Sequence, residues 1–205
     1  MLRLLALLLL PLPALADPAV GRLNLSGYKH REMCSGTLIA PDKVLTAAHC
    51  VATVQDGYLK RLGDMTFVAD WNGESHKGAA KLRAVQVHPK AFTDGRFDLS
   101  HDIAVVELAQ PLQPTPHPLG DKGLPGPLTL IGYQRSAPHR QAETGYCYGA
   151  PEGPLWRIAC RVEPGQSGGP VLNDAGEIVA VISAVQEEQA LVVPVDEWLR
   201  EQLRR

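Results

Sequence analysis

Apolar residues in this chain recur in short bursts, not long stripes. Runs that alternate, or that are rich in β-branched residues, predict strands at residues 36–40, 43–46, 65–69, 82–88 and 102–108. A second set follows at 128–132, 145–148, 156–160, 170–172, 177–185 and 190–193. The run Ile178-Val179-Ala180-Val181-Ile182 follows Asn173-Asp174-Ala175-Gly176. That tetrapeptide is a hairpin turn, because glycine tolerates positive φ and Asn and Asp bond to their own backbone. Helical periodicity appears only at the end. Pro194 can open a first turn, Asp196 and Glu197 suit its positive end, and Arg204 and Arg205 its negative end. Trp198, Leu199 and Leu203 supply the apolar side. Six prolines between Ala109 and Pro127 bar that segment from a sheet interior and mark an extended connector. The pattern is all-β in two halves, as barrels or a sandwich. The expected divisions are about 17–108, a connector at 109–127, about 128–193, and a short C-terminal helix at 194–205.

Composition narrows the class. The chain has 205 residues, 45% hydrophobic but only 5% aromatic, so the core must rest on Leu, Val, Ile and Ala. Twenty Lys+Arg against 22 Asp+Glu leave a net charge of −2, which creates no field able to hold nucleic acid or an acidic membrane. Met1-Leu2-Arg3 precedes an apolar run from Leu4 to Leu10, then Pro11, Pro13 and the small-x-small sequence Ala14-Leu15-Ala16. The run is too short to span a bilayer, so residues 1–16 are expected to be a secretory signal peptide. No later apolar stretch reaches membrane-spanning length, and residues 17–205 are expected as a secreted or periplasmic monomer without membrane contact. Cys34, Cys50, Cys147 and Cys160 allow three pairings, of which Cys34–Cys50 and Cys147–Cys160 are the simplest. No C-x-x-C or histidine cluster completes a metal-binding spacing, and no cofactor is expected.

Three segments carry chemistry: Thr46-Ala47-Ala48-His49-Cys50, His101-Asp102-Ile103-Ala104, and Gly165-Gln166-Ser167-Gly168-Gly169-Pro170. A serine hydroxyl needs an imidazole to take its proton, and that imidazole needs a carboxylate to fix its tautomer. Asp102 alone carries little weight, since Asp before an apolar strand is often a cap. The company of His49 and Ser167 gives it meaning. Glycines around Ser167 allow a turn that aims backbone N–H groups, from Gly165 and Ser167, at a developing oxyanion. An imidazole base must be neutral, so activity is expected to climb with pH.

Together these motifs resemble the chymotrypsin-fold, or trypsin-like, serine endopeptidases, and the serine segment is similar to their bacterial secreted branch, which includes glutamyl endopeptidases. The resemblance implies His49 as general base, Asp102 as its orienting acid and Ser167 as nucleophile, acting on a protein or peptide substrate. It implies two six-stranded antiparallel β-barrels with the active site between them, and it supports Cys34–Cys50 as the disulfide spanning the histidine loop. It also places the specificity pocket near Arg161, Ser183 and Val185, with Arg161 selecting an acidic side chain if it points inward. Many family members have an Asp before the nucleophile that pairs with a newly cut N-terminus. Gln166 stands there instead and cannot form that ion pair. Competence on folding and leader removal, without an ammonium switch, is therefore expected. The rival class is a protease-fold binding module with little turnover, and an esterase would differ only in substrate range.

Overall fold

The structure, a computed structural model, describes residues 16–26, 31–121 and 123–204; the expected leader, apart from Ala16, lies outside them. The first half is a closed antiparallel barrel. Its strands are β1 (Val20–Ser26), β2 (Arg31–Ala40), β3 (Lys43–Thr46), β4 (Met65–Ala69), β5 (Gly78–Val87) and β8 (Ala104–Leu108), in the order β1-β2-β3-β8-β5-β4. Alternation drives it: Met65, Phe67 and Ala69 of β4 are buried while Thr66 and Val68 are only half-covered. Gly21 lets β1 cross close over β4, since a Cβ there would stand 2.5 Å from the Phe67 ring. A small hairpin, β6 (Phe92–Thr93) with β7 (Arg96–Phe97), projects from the barrel.

The second half comprises β9 (Leu128–Gln134), β10 (Ala137–Cys147), β11 (Gly149–Glu152), β12 (Leu155–Ile158), β13 (Pro170–Leu172), β14 (Ile178–Gln186) and β15 (Gln189–Pro194). They form a seven-stranded, barrel-like sheet ordered β10-β9-β13-β14-β15-β12-β11. The strand count exceeds the expected six because one strand is broken. Its two edges, β10 and β11, are consecutive stretches of chain with only Tyr148 between them, so covalent continuity joins what hydrogen bonding leaves open. The break follows Tyr146, at φ 56°, where the β10–β9 register shifts.

Three apolar clusters hold the halves. One fills the first barrel around Leu23, Leu38, Phe67 and Val106, and another the second around Leu130, Ile158, Val171 and Ile182. The third lies between them and joins Val20, Leu45 and Ile103 to Ile131, Tyr133, Val181 and Leu199. The connector crosses this seam: the His117 backbone N–H donates to the Leu38 carbonyl, and that of Gly120 donates to Ile178. The C-terminal helix, expected from 194, runs as α2 (Glu197–Arg204). Its start moves because Pro194 ends β15, and the Asp196 carboxylate accepts from the Leu199 N–H at 2.8 Å.

Candidate active site

His49 follows β3 on a single helical turn, α1 (Ala48–Val51), that the fully buried Ala47 and Ala48 allow to pack tightly. Asp102 leaves a short 3-10 turn, Leu99–His101, and is fully buried. These two elements bring residues 53 apart in sequence into contact. His49 Nδ1 lies 2.6 Å from Asp102 Oδ2, and the His49 backbone N–H donates to Asp102 Oδ1 at 2.9 Å. A carboxylate facing Nδ1 keeps the proton there and leaves the Nε2 lone pair open. A third bond comes from Ser183, whose hydroxyl donates to Asp102 Oδ2 at 2.5 Å. Ser183 is 3% exposed. Its hydroxyl braces the carboxylate, while its carbonyl faces Ser167. No local pattern could have signalled this, because the partners lie 81 residues apart.

Ser167 sits in the loop between β12 and β13, fixed by the Ser35 N–H donating to its carbonyl at 2.8 Å. Ser167 and His49 flank one disulfide sulfur: Cys50 Sγ is 3.7 Å from the Ser167 carbonyl oxygen and 3.8 Å from His49 Nε2. Among the described residues the Ser167 hydroxyl donates to the Ser183 carbonyl at 3.3 Å, not to His49.

The carbonyls of the loop before Ser167 are already engaged. Pro164 O accepts from Arg135 N at 2.8 Å, and Gly165 O accepts from the Ser35 hydroxyl at 2.8 Å. Among the described residues the Gly165 and Ser167 N–H groups donate to no protein acceptor. Gly165 takes φ +104°, where a side chain would be strained and would strike Met33 and the Tyr133 carbonyl. Gln166, 1% exposed, braces the same loop through its amide. Its Oε1 accepts from the Glu163 N–H at 2.8 Å and from Gln134 Nε2 at 3.3 Å.

Arg161 does not point inward. Its side chain is 69% exposed and lies 3.9 Å from Glu188. Val185 lies half-exposed on β14 two residues beyond Ser183. Cys34 and Cys50 are joined, as are Cys147 and Cys160, with S–S distances of 2.04 and 1.97 Å. Cys34, His49 and Cys50 place ligand atoms within 4.8 Å of one another, but the disulfide consumes both thiolates a metal would need.

The profile of the trypsin-like peptidase domain matches residues 34–181, which hold all three segments. This chain belongs to the trypsin-like peptidase domain family. A venom serine protease of Bombus ignitus is 34% identical over 77 residues, 38% of this chain and 20% of the relative, so the match spans about a fifth of that relative's length. Among solved structures, a Glu endopeptidase aligns over 92% of this chain and 89% of its own, with TM-score 0.78 and 19% identity. A thermostable serine protease from an extremophilic microorganism gives TM-score 0.73 at 21% identity, over 87% of this chain and 91% of its own. An inactivated protease paralogue of the scabies mite gives TM-score 0.73 at 17% identity, over 92% and 96%. These likenesses concern the fold alone.

Proposed function

We propose that this trypsin-like domain is an exported serine endopeptidase that cleaves peptide bonds through an acyl-enzyme. The observation that carries the reading is the His49 imidazole held by Asp102 at 2.6 Å, beside a serine loop whose N–H groups are uncommitted. In this reading His49 Nε2 takes the Ser167 proton as Oγ attacks the substrate carbonyl. The Gly165 and Ser167 N–H groups hold the oxyanion. The imidazolium, stabilised by Asp102, then protonates the leaving amine, and water repeats the sequence to release the acid.

Competence without an N-terminal ammonium switch rests on Gln166, whose side chain bonds within its own loop and needs no cation. Export rests on the leader-like residues 1–16 together with two disulfides, which persist in oxidising compartments. The rival reading, a binding module that keeps the fold without turnover, draws on the Ser167 hydroxyl facing Ser183 in place of His49.

A fluorophosphonate probe separates the two. Labelling of the wild-type protein and none of Ser167→Ala is the expected result, with loss of turnover on the order of a millionfold in the variant. A folded, disulfide-bonded wild type that neither labels nor cleaves a peptide library overturns the peptidase reading.

A further inference from the structure

The peptidase reading leaves open what lies beyond the scissile bond. The backbone edge of β14 from Ser183 onward borders Ser167, and an extended acyl segment can add to it as a strand. The leaving segment then runs to the other side of Ser167, across the oxyanion loop. A cavity of about 400 Å³ opens there, lined among others by Arg22, Glu32, Met33, Arg135 and Pro138. It begins at the loop itself: the Met33 methyl stands 2.6 Å from where a Cβ on Gly165 would be, and the Arg135 N–H holds the Pro164 carbonyl.

Its charges are unbalanced. Glu32, the acid among these lining residues, is engaged by Lys60, whose Nζ also reaches the His49 carbonyl at 3.0 Å. Arg22 and Arg135 form no ion pair with any described carboxylate, whereas six other arginines do. Arg22 is fixed by the Pro138 carbonyl at 2.8 Å and Asn24 Oδ1 at 2.9 Å, and its Nε is buried without a partner. Burial draws its pKa down from the ordinary value, with Tyr133 opposing. A half-buried guanidinium without a carboxylate partner favours one, and the planar fork of an arginine suits a carboxylate's two oxygens.

We propose that this cavity is a subsite for an acidic side chain on the leaving-group side of the cleaved bond, read by Arg22 and Arg135. It concerns the segment after the scissile bond and is separate from the region around Arg161. The inference rests on the peptidase reading, and its test is arranged so that the two can fail separately.

A quenched peptide that the protein cleaves is selected from a mixture. It is then remade with Glu, Gln or Lys at each of the first two positions after the cut. The readout is the ratio of kcat/KM values within each protein, so loss of overall activity does not enter. Wild type is expected to favour Glu over Lys by about tenfold at one of these positions, less at high salt. Arg135→Gln narrows the ratio and Arg135→Glu reverses it. Equal rates for Glu and Lys in the wild type overturn the proposal, as does a Glu preference that persists in the double variant Arg22→Gln/Arg135→Gln. Should the double variant fail to fold, substitution of the exposed Arg135 by Glu decides the matter: an unchanged ratio refutes the subsite. Absent labelling by the fluorophosphonate probe would instead sink the peptidase reading beneath it.

Discussion

Replacing His117 with Gln should destabilise this domain at mildly acid pH and much less at alkaline pH. His117 sits on the connector and meets an acceptor at each ring nitrogen: Gly176 O at 2.9 Å from Nδ1 and Asp17 Oδ2 at 2.7 Å from Nε2. Two acceptors call for two protons, so the imidazolium fits the site. Hydrogen bonding to Asp17 raises its pKa, burial opposes, and the Asp17 charge and the Gly176 carbonyl add to the rise. The contact ties the chain near residue 17 to the connector and to the turn between β13 and β14.

A hydrogen bond to a charged group contributes about 1.5–3 kcal/mol when buried. The two side chains are 18% and 16% exposed, so screening takes part of that. About 1–2 kcal/mol remains for the clamp. Because the folded pKa lies above the unfolded value of 6.5, this stability is fully present below the unfolded value and is lost as pH rises through the folded one. Asp17 acts at the other end of the scale. Burial raises its pKa, but the His117 hydrogen bond and charge, with the Ala19 and Val20 amides, hold it below 3.8. Its contribution is present above that value and fades only as pH falls through the folded pKa.

Urea unfolding of wild type and His117→Gln, disulfides intact, should therefore differ by about 1–2 kcal/mol near pH 5.5 and by well under half of that near pH 9. A difference that is the same at both pH values, or one that grows with pH, refutes the imidazolium clamp.

Other expectations follow from the site and its frame. Asp102→Asn should lower kcat by about ten-thousandfold with the fold intact, because an amide donor at Nδ1 favours the wrong tautomer; unchanged peptide turnover would remove Asp102 from the mechanism. Ser183→Ala, which deletes the 2.5 Å bond to that carboxylate, should cost on the order of tenfold in kcat with little change in KM, read by steady-state kinetics. Gly168→Ala should abolish folded protein in circular dichroism, since at φ +83° its Cβ would lie 2.2 Å from Thr46 Oγ1 and 2.3 Å from Ser35 O. A loss of more than about 3 kcal/mol is expected there. Cys147→Ser with Cys160→Ser opens a loop closed at a sequence separation of 13 and should cost about 3 kcal/mol in urea unfolding.

What the chain declares on its own is local. Strand β3 at Lys43–Thr46, β4 at Met65–Ala69 and β13 at Pro170–Leu172 stand at their predicted positions, because burial of alternate or consecutive apolar residues writes itself into the order of side chains. Strand β1 and most of β10 are among the elements that escaped, and for the same reason. Much of β10 faces solvent, so its stretch Ala137-Pro138-His139-Arg140-Gln141-Ala142-Glu143 shows no apolar alternation, and β1 carries only a short alternation around Leu23 and Leu25. The family motifs are equally local, since the glycines and alanines beside His49 and Ser167 are demanded by turns and close packing within a few residues. Everything relational belonged to the tertiary structure. Contact between His49 and Asp102, the Ser183 bond to the same carboxylate, and the outward turn of Arg161 depend on where distant strands lie. So does the meeting of Arg22 and Arg135 over one cavity, 113 positions apart in the sequence. A sequence sets which side chains are available and how each short segment bends; packing two halves against one shared apolar seam decides which of them face each other.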